Sequence, residues 1–202
     1  AVLCEKTENK TADNYIFQYT NTPLYTQRYE ALIKLAELQK TNPSAKKCLI
    51  NALHDNAYHI REFAIRKLEI PKADTAKIYA TIETLARKDK SSWVRKAAIE
   101  KLSNSPKDSS YTSLFENSIG DSSYEVAGAS LKALNEVNSA KALQVAKQFE
   151  NEKDNNIVTA VADIYAKQGD SLYQSYFSDR LHNSSELSKY YLFYYYANYL
   201  TR

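Results

Sequence analysis

Glycine occurs three times in 202 residues, proline four times and methionine not at all. With so few glycines there is no loop to cradle a phosphate, no dinucleotide-binding fingerprint and no G-x-S-x-G nucleophile turn. The two cysteines, Cys4 and Cys48, lack the C-x-x-C spacing of a zinc ribbon or a redox pair, and two cysteines do not decide the compartment. No H-E-x-x-H pair is present. His54 and His59 are five residues apart across a turn, His182 lies far along the chain, and all three read as solvent-facing turn residues. The longest apolar run, Tyr190 to Leu200, is about half of what a membrane span requires. No secretory signal is visible, because Ala1-Val2-Leu3-Cys4-Glu5-Lys6 puts charge where an apolar core belongs. Without an initiator Met the sequence reads as a processed chain or an excised piece of a longer one. The acidic and amide side chains are numerous but scattered. The sequence therefore offers no catalytic residue, no cofactor-binding residue and no metal ligand.

What remains is rich in helix formers, and with so few turn residues the class is all-α. The seventeen tyrosines suggest packing between helices by rings whose hydroxyls find partners. A single pattern recurs along the chain. Val94-Arg95-Lys96-Ala97-Ala98-Ile99-Glu100-Lys101-Leu102 overlays Ile60 to Leu68 upstream and Val126 to Leu134 downstream without a gap, with weaker copies from Gln27 and Val158. The equivalent first positions, Gln27, Ile60, Val94, Val126 and Val158, are separated by 33, 34, 32 and 32 residues, a period that marks stacked helical hairpins.

Each copy reads as the second helix of a hairpin. An aliphatic residue (Ile60, Val94, Val126, Val158) is followed one turn later by a small one (Ala64, Ala98, Ser130, Ala162) on the same face. Leu35, Leu68, Leu102 and Leu134 lie one further turn along and fill the space between repeats. One hairpin cannot bury such a face alone, so stacking is required. Helices are expected over Leu24 to Lys40, Ala45 to Leu53, Ile60 to Leu68, Ala73 to Arg87, Ser91 to Leu102, Leu114 to Ile119, Val126 to Val137, Ala140 to Phe149 capped by Ser139, Ile157 to Lys167, Leu172 to Leu181, and Leu187 to Leu200. A brief helix over Ala12 to Tyr19, capped by Thr11, precedes them. The loop Ser103 to Ser110 and the turn at Ile70-Pro71 separate repeats, and no linker long enough to divide two domains is evident.

Six residues separate Asp55 from Arg61 and also Asp89 from Arg95, with the Asp in the turn and the Arg just inside the second helix. This resembles the HEAT repeat, in which such an Asp and Arg form a hydrogen-bonded ladder between neighbours. The resemblance implies an α-α superhelix, a HEAT/armadillo-like solenoid of about five helical hairpins. The pattern departs at Asp121, followed by Ala127 where Arg is expected, and in the fifth copy, which has Thr159.

Net charge is +3, divided as +6 over residues 1–101 and −3 over residues 102–202. The basic cluster Arg87, Lys88, Lys90, Arg95 and Lys96 around Trp93 could contact phosphates and stack a base. The preferred reading packs Trp93 against the neighbouring repeat and leaves the lysines in water. The helix from Tyr190 to Tyr199 is aromatic around nearly its whole circumference. One side should pack on the preceding helix, and another should be covered by further chain or another domain.

The opening residues add a second resemblance. Val2-Leu3-Cys4-Glu5-Lys6, Asn9-Lys10-Thr11, Phe17-Gln18-Tyr19, Pro23-Leu24-Tyr25 and Arg28-Tyr29-Glu30-Ala31 look like a junction in large bacterial zinc aminopeptidases of the aminopeptidase N type, members of the gluzincin metallopeptidases. The late run Tyr194-Tyr195-Tyr196-Ala197-Asn198-Tyr199-Leu200-Thr201-Arg202 is similar to the end region of their helical C-terminal domains. The resemblance implies that residues 1–23 are a junction segment from a preceding domain and that 24–202 are the HEAT-like domain. It implies a non-catalytic domain that packs on the catalytic domain of the same polypeptide and limits peptide access to the active site. The parent would use one zinc held by two His and a Glu, with a second Glu as general base, none of them in this chain. The source would be bacterial, with the compartment, periplasmic or cytoplasmic, left undecided by the sequence. The alternatives are a stand-alone α-solenoid scaffold for protein partners and, further back, a helical-repeat nucleic-acid binder. No membrane association is expected.

Overall fold

The computed structural model describes residues 2–70, 75–105 and 109–201, and the regular elements among them are all helical. Among the described residues twelve α-helices follow one another, taken in consecutive pairs. They are α1 (Val2–Asn21) with α2 (Tyr25–Leu38), α3 (Pro43–Ala52) with α4 (Tyr58–Lys67), and α5 (Thr75–Lys88) with α6 (Ser92–Ser103). Then come α7 (Thr112–Ser118) with α8 (Tyr124–Val137), α9 (Ser139–Ala146) with α10 (Asn155–Gln168), and α11 (Gln174–Asn183) with α12 (Glu186–Leu200). The described residues thus hold six hairpins, one more than the repeat count suggested, and the fold is the all-α helical repeat that the period implied. Two compact units are distinguished, Ala1–Lys101 and Leu102–Arg202, and the division falls inside the last turn of α6 rather than in a linker.

The five repeat copies are the second helices α2, α4, α6, α8 and α10, so the extra hairpin is α11 with α12. Where a short helix from Ala12 was expected, α1 is one helix of 20 residues, and Thr11 lies inside it instead of capping it. No glycine or proline interrupts the sequence before Pro23, so the polar stretch Glu5 to Lys10 had nothing in it to break a helix. Ala12 and Tyr19, two turns apart, are buried as α1 packs on α2 and α3. The helix expected from Ala73 is described from Thr75; Ala73, Pro71 and residues 106–108 of the expected loop lie outside the described residues.

Helix starts follow from short polar side chains. The Asn42 side-chain oxygen Oδ1 accepts from the backbone N–H of Ser44 (2.9 Å) and Ala45 (3.0 Å), with Pro43 in the first turn where a missing N–H costs nothing. Asn138, not Ser139, caps α9, accepting from the N–H of Lys141 at 3.0 Å. Ser139 is already the first helical residue, one position too late to reach an orphan donor. At the other end of α10, Gly169 takes φ 68°, the left-handed conformation that ends a helix without a Cβ penalty. Helix α4 has no such glycine. Its C-terminus is closed by neighbours instead: the Gln39 amide donates to Lys67 O (3.0 Å) and accepts from Glu69 N (2.8 Å), and Lys101 Nζ donates to Leu68 O (2.7 Å).

The repeat positions form the core. Ile60, Val94, Val126 and Val158 are buried, as are Ala64, Ala98, Ser130 and Ala162 a turn later and Leu35, Leu68, Leu102 and Leu134 beyond them. Each leucine contributes about 2 kcal/mol by leaving water. The hydroxyl of Ser130 donates to Val126 O at 2.7 Å, so the one polar member is satisfied within its own helix. The first copy departs from the rule, because Gln27 and Leu24 are exposed. In the second unit α10 packs on both α8 and α12. Its approach to α8 is set by Gly128: a Cβ there would lie 2.6 Å from the carbonyl oxygen of Asn156.

Candidate functional site

The turn that precedes each second helix is built by one carboxylate. Oδ1 of Asp55, Asp89, Asp121 and Asp154 accepts from the N–H two residues on, that of Ala57 (2.8 Å), Ser91 (2.9 Å), Ser123 (2.9 Å) and Asn156 (2.8 Å). Short acceptors of this kind close a turn on their own backbone. Thr22 does the same with its hydroxyl, which accepts from Leu24 N at 3.3 Å. Two of these carboxylates have a further task. Arg61 places Nε 2.7 Å and Nη2 2.8 Å from the two oxygens of Asp89, while its Nη1 donates to Asp55 O and Asn56 O of its own turn. Arg28 repeats the arrangement on Asp55 at 2.9 and 3.0 Å, with Nη1 donating to Thr22 O and Pro23 O. The Asp55 hydrogen bonds hold Arg28 above its ordinary guanidinium pKa.

The ladder of Asp55, Arg61 and Asp89 expected from the spacing is therefore present. Its first rung was not anticipated. Arg28 stands 33 residues before Arg61 but has Thr22, not Asp, six residues ahead of it, so a search for the Asp–Arg spacing passes over it. Arg95 makes the same turn contact, Nη1 to Asp89 O at 2.9 Å.

These rungs hold the first turns of α2 and α4 side by side, and aromatic rings collect there. His59 lies against Tyr58, ring centroids 3.8 Å apart, and faces Tyr25 at 5.9 Å, while Tyr29 meets Phe63 edge-on at 5.0 Å. Tyr25, Thr26, Tyr29, Glu30 and His59 line a cleft of about 400 Å³. Phe17 and Leu24 are exposed beside the same hairpin turn, which gives the first hairpin an apolar edge. Trp93 is half exposed in the first turn of α6, not packed away as its apolar surface suggested. Within the basic cluster around it, Arg87 is bound to Glu83 at 2.9 Å and Lys96 lies 4.0 Å from Glu100.

In the second unit the aromatic residues make a layered contact. Tyr165 is buried, stacked on Tyr173 at 4.1 Å, edge-on to Tyr176 at 5.0 Å, and its hydroxyl donates to Glu150. Burial, then the Glu150 carboxylate, pushes the phenol well above its ordinary 10.0. Phe177 meets Tyr196 (5.3 Å) and Tyr199 (5.2 Å) of α12, and the Tyr199 hydroxyl donates to Asp170 O at 2.9 Å. Lys132 donates to the Tyr195 hydroxyl at 3.2 Å and lies 5.6 Å from that ring.

Among the described residues no three His, Cys, Asp or Glu side chains converge as metal ligands do. No described helix is long and apolar enough to cross a membrane. Cys48 is a buried free thiol, and burial raises its pKa, which disfavours the reactive thiolate. The geometry provides closely spaced helix ends and exposed rings. The chain matches no protein-family model and no curated protein sequence.

Proposed function

We propose that this chain is a non-catalytic, HEAT-like C-terminal domain of a zinc-dependent aminopeptidase, and that it packs on the catalytic domain and limits access to the active site. The observation that carries this reading is the apolar edge of the first hairpin. Phe17, Leu24 and Tyr25 are exposed there, and they fall in the stretches, Phe17-Gln18-Tyr19 and Pro23-Leu24-Tyr25, on which the resemblance to the aminopeptidase junction rests. Exposed rings held by a rigid ladder suit a surface that meets another folded domain.

The gene tests this directly. An H-E-x-x-H upstream in the same reading frame, with a Glu about nineteen residues beyond it, is the expected result. An open reading frame that begins near Ala1 with no such motif overturns it. The purified chain is expected to be inert toward aminoacyl reporter substrates with added zinc, and metal-dependent turnover by the fragment alone would end the proposal. A stand-alone scaffold for protein partners is the second reading, favoured by the exposed rings of Tyr58 and Trp93 at the starts of α4 and α6 in the first unit.

A further inference from the structure

Helix α12 is apolar on two opposite faces, and only one has a partner in the chain. Successive residues turn by about 100° in an α-helix. Ser188, Leu192, Tyr195, Tyr196 and Tyr199 therefore share one face. Leu192 and Tyr199 are buried there, where α12 packs on α10 and α11. Tyr190, Phe193, Tyr194, Ala197 and Leu200 share the opposite face, at spacings of three, four and seven residues, the pattern of a helix-pairing seam. On this second face Tyr190 is 73% exposed, Phe193 60%, Tyr194 64% and Leu200 62%.

We infer that this outer face of α12 is a self-association surface, whose occupant is the same face of a second copy of the chain. Two features select that occupant. From Tyr190 to Thr201 there is no charged residue, so an antiparallel two-fold contact centred on this stretch, which leaves the exposed Glu186 of each copy beyond the other's Leu200, brings no like charges together, and a charged partner finds nothing along it to steer or hold it. The four large side chains offer on the order of 500 Å² per copy. Two copies would then bury about 1,000 Å², the lower bound for a specific interface and the size of a weak, reversible contact. A face that meets itself closes after two copies, so assembly stops there. The inference is independent of the aminopeptidase reading, since it uses only α12 and its exposure.

Sedimentation velocity on the 202-residue chain tests it. At tens of micromolar protein the expected mass is about twice the 23.0 kDa of one chain, falling to one chain on dilution. The double substitution Phe193→Lys with Tyr194→Lys sets like charges face to face and is expected to leave a monomer of unchanged helicity, because both side chains point away from α10 and α11. If the double variant loses helicity, Tyr190→Lys alone, at the most exposed position, makes the same comparison. Tyr25→Lys, in the first unit, is expected to leave the dimer intact. The inference is overturned if the unmodified chain stays monomeric throughout, if the dimer survives the lysine substitutions, if Tyr25→Lys abolishes it, or if mass grows without limit as concentration rises.

Discussion

Arg61 and Arg66 stand five residues apart on the same helix and illustrate how little an ion pair says without its surroundings. Arg61 grips Asp89 through two parallel hydrogen bonds, and the Asp89 side chain is almost wholly buried. Arg66 reaches Glu62 and Glu100 over similar distances, but with its side chain well exposed. Replacing Arg61 with Met strands a buried carboxylate and two backbone carbonyls, and is expected to cost about 3 kcal/mol. Replacing Arg66 with Met gives up solvent-screened contacts, and less than about 1 kcal/mol is expected. Urea unfolding of the two variants measures the difference, and equal losses would contradict the assignment of Arg61 as a ladder residue. Arg28→Met is expected to behave like Arg61→Met, because its geometry on Asp55 is the same.

Helix α8 shows what the chain does where the ladder pattern fails. Ala127 stands in place of Arg, and beside it Gly128 lets the backbone of α10 approach to a distance no Cβ allows. Gly128→Ala gains about 1 kcal/mol of intrinsic helix preference but forces apart α8 and the backbone at Asn156, a strain of about 1–3 kcal/mol. Net destabilisation is expected, read as a lower urea midpoint, and a stabilised variant would show that the two helices can separate freely. The second helices were legible in the sequence because Val94, Ala98 and Leu102 repeat at fixed spacing and are buried on one face. The ladder was half legible, since Asp55–Arg61 and Asp89–Arg95 share a spacing that Thr22–Arg28 hides by substituting a hydroxyl for a carboxylate. Helix α1 was misjudged because polarity was read as a loop, when the better signal was the absence of any helix breaker before Pro23. Trp93 and the cleft at Tyr25 and His59 were not legible, because exposure depends on how neighbouring helix ends are aligned, which no local pattern encodes. The outward side of α12 was anticipated as a face needing cover, from its unbroken run of rings.

Across the molecule, buried tyrosines are expected to lower stability at alkaline pH. Burial, before any other cause, raises the pKa of Tyr19, Tyr165, Tyr173 and Tyr176 above the ordinary 10.0. A raised phenol keeps its proton longer in the folded chain than in the unfolded one. Its contribution is therefore complete below pH 10.0 and is lost as pH rises toward the folded value. Unfolding free energy is expected to fall steadily above that pH, with a shallower slope in Tyr165→Phe, and tyrosinate absorbance should include a fraction that appears only with loss of helicity. A pH-independent stability across this range would contradict the buried assignment. The rungs at Arg28–Asp55 and Arg61–Asp89 also bear on how such a chain can change in length. Each needs one Arg and the Asp of the next hairpin, 27 or 28 residues away. A tandem duplication of one 33- or 34-residue period would hand the new Arg an existing Asp and the new Asp an existing Arg, orphaning neither. Growth by whole periods is chemically silent at the joints, whereas a partial copy that adds an Asp turn without the Arg of the preceding hairpin leaves a buried carboxylate without its guanidinium.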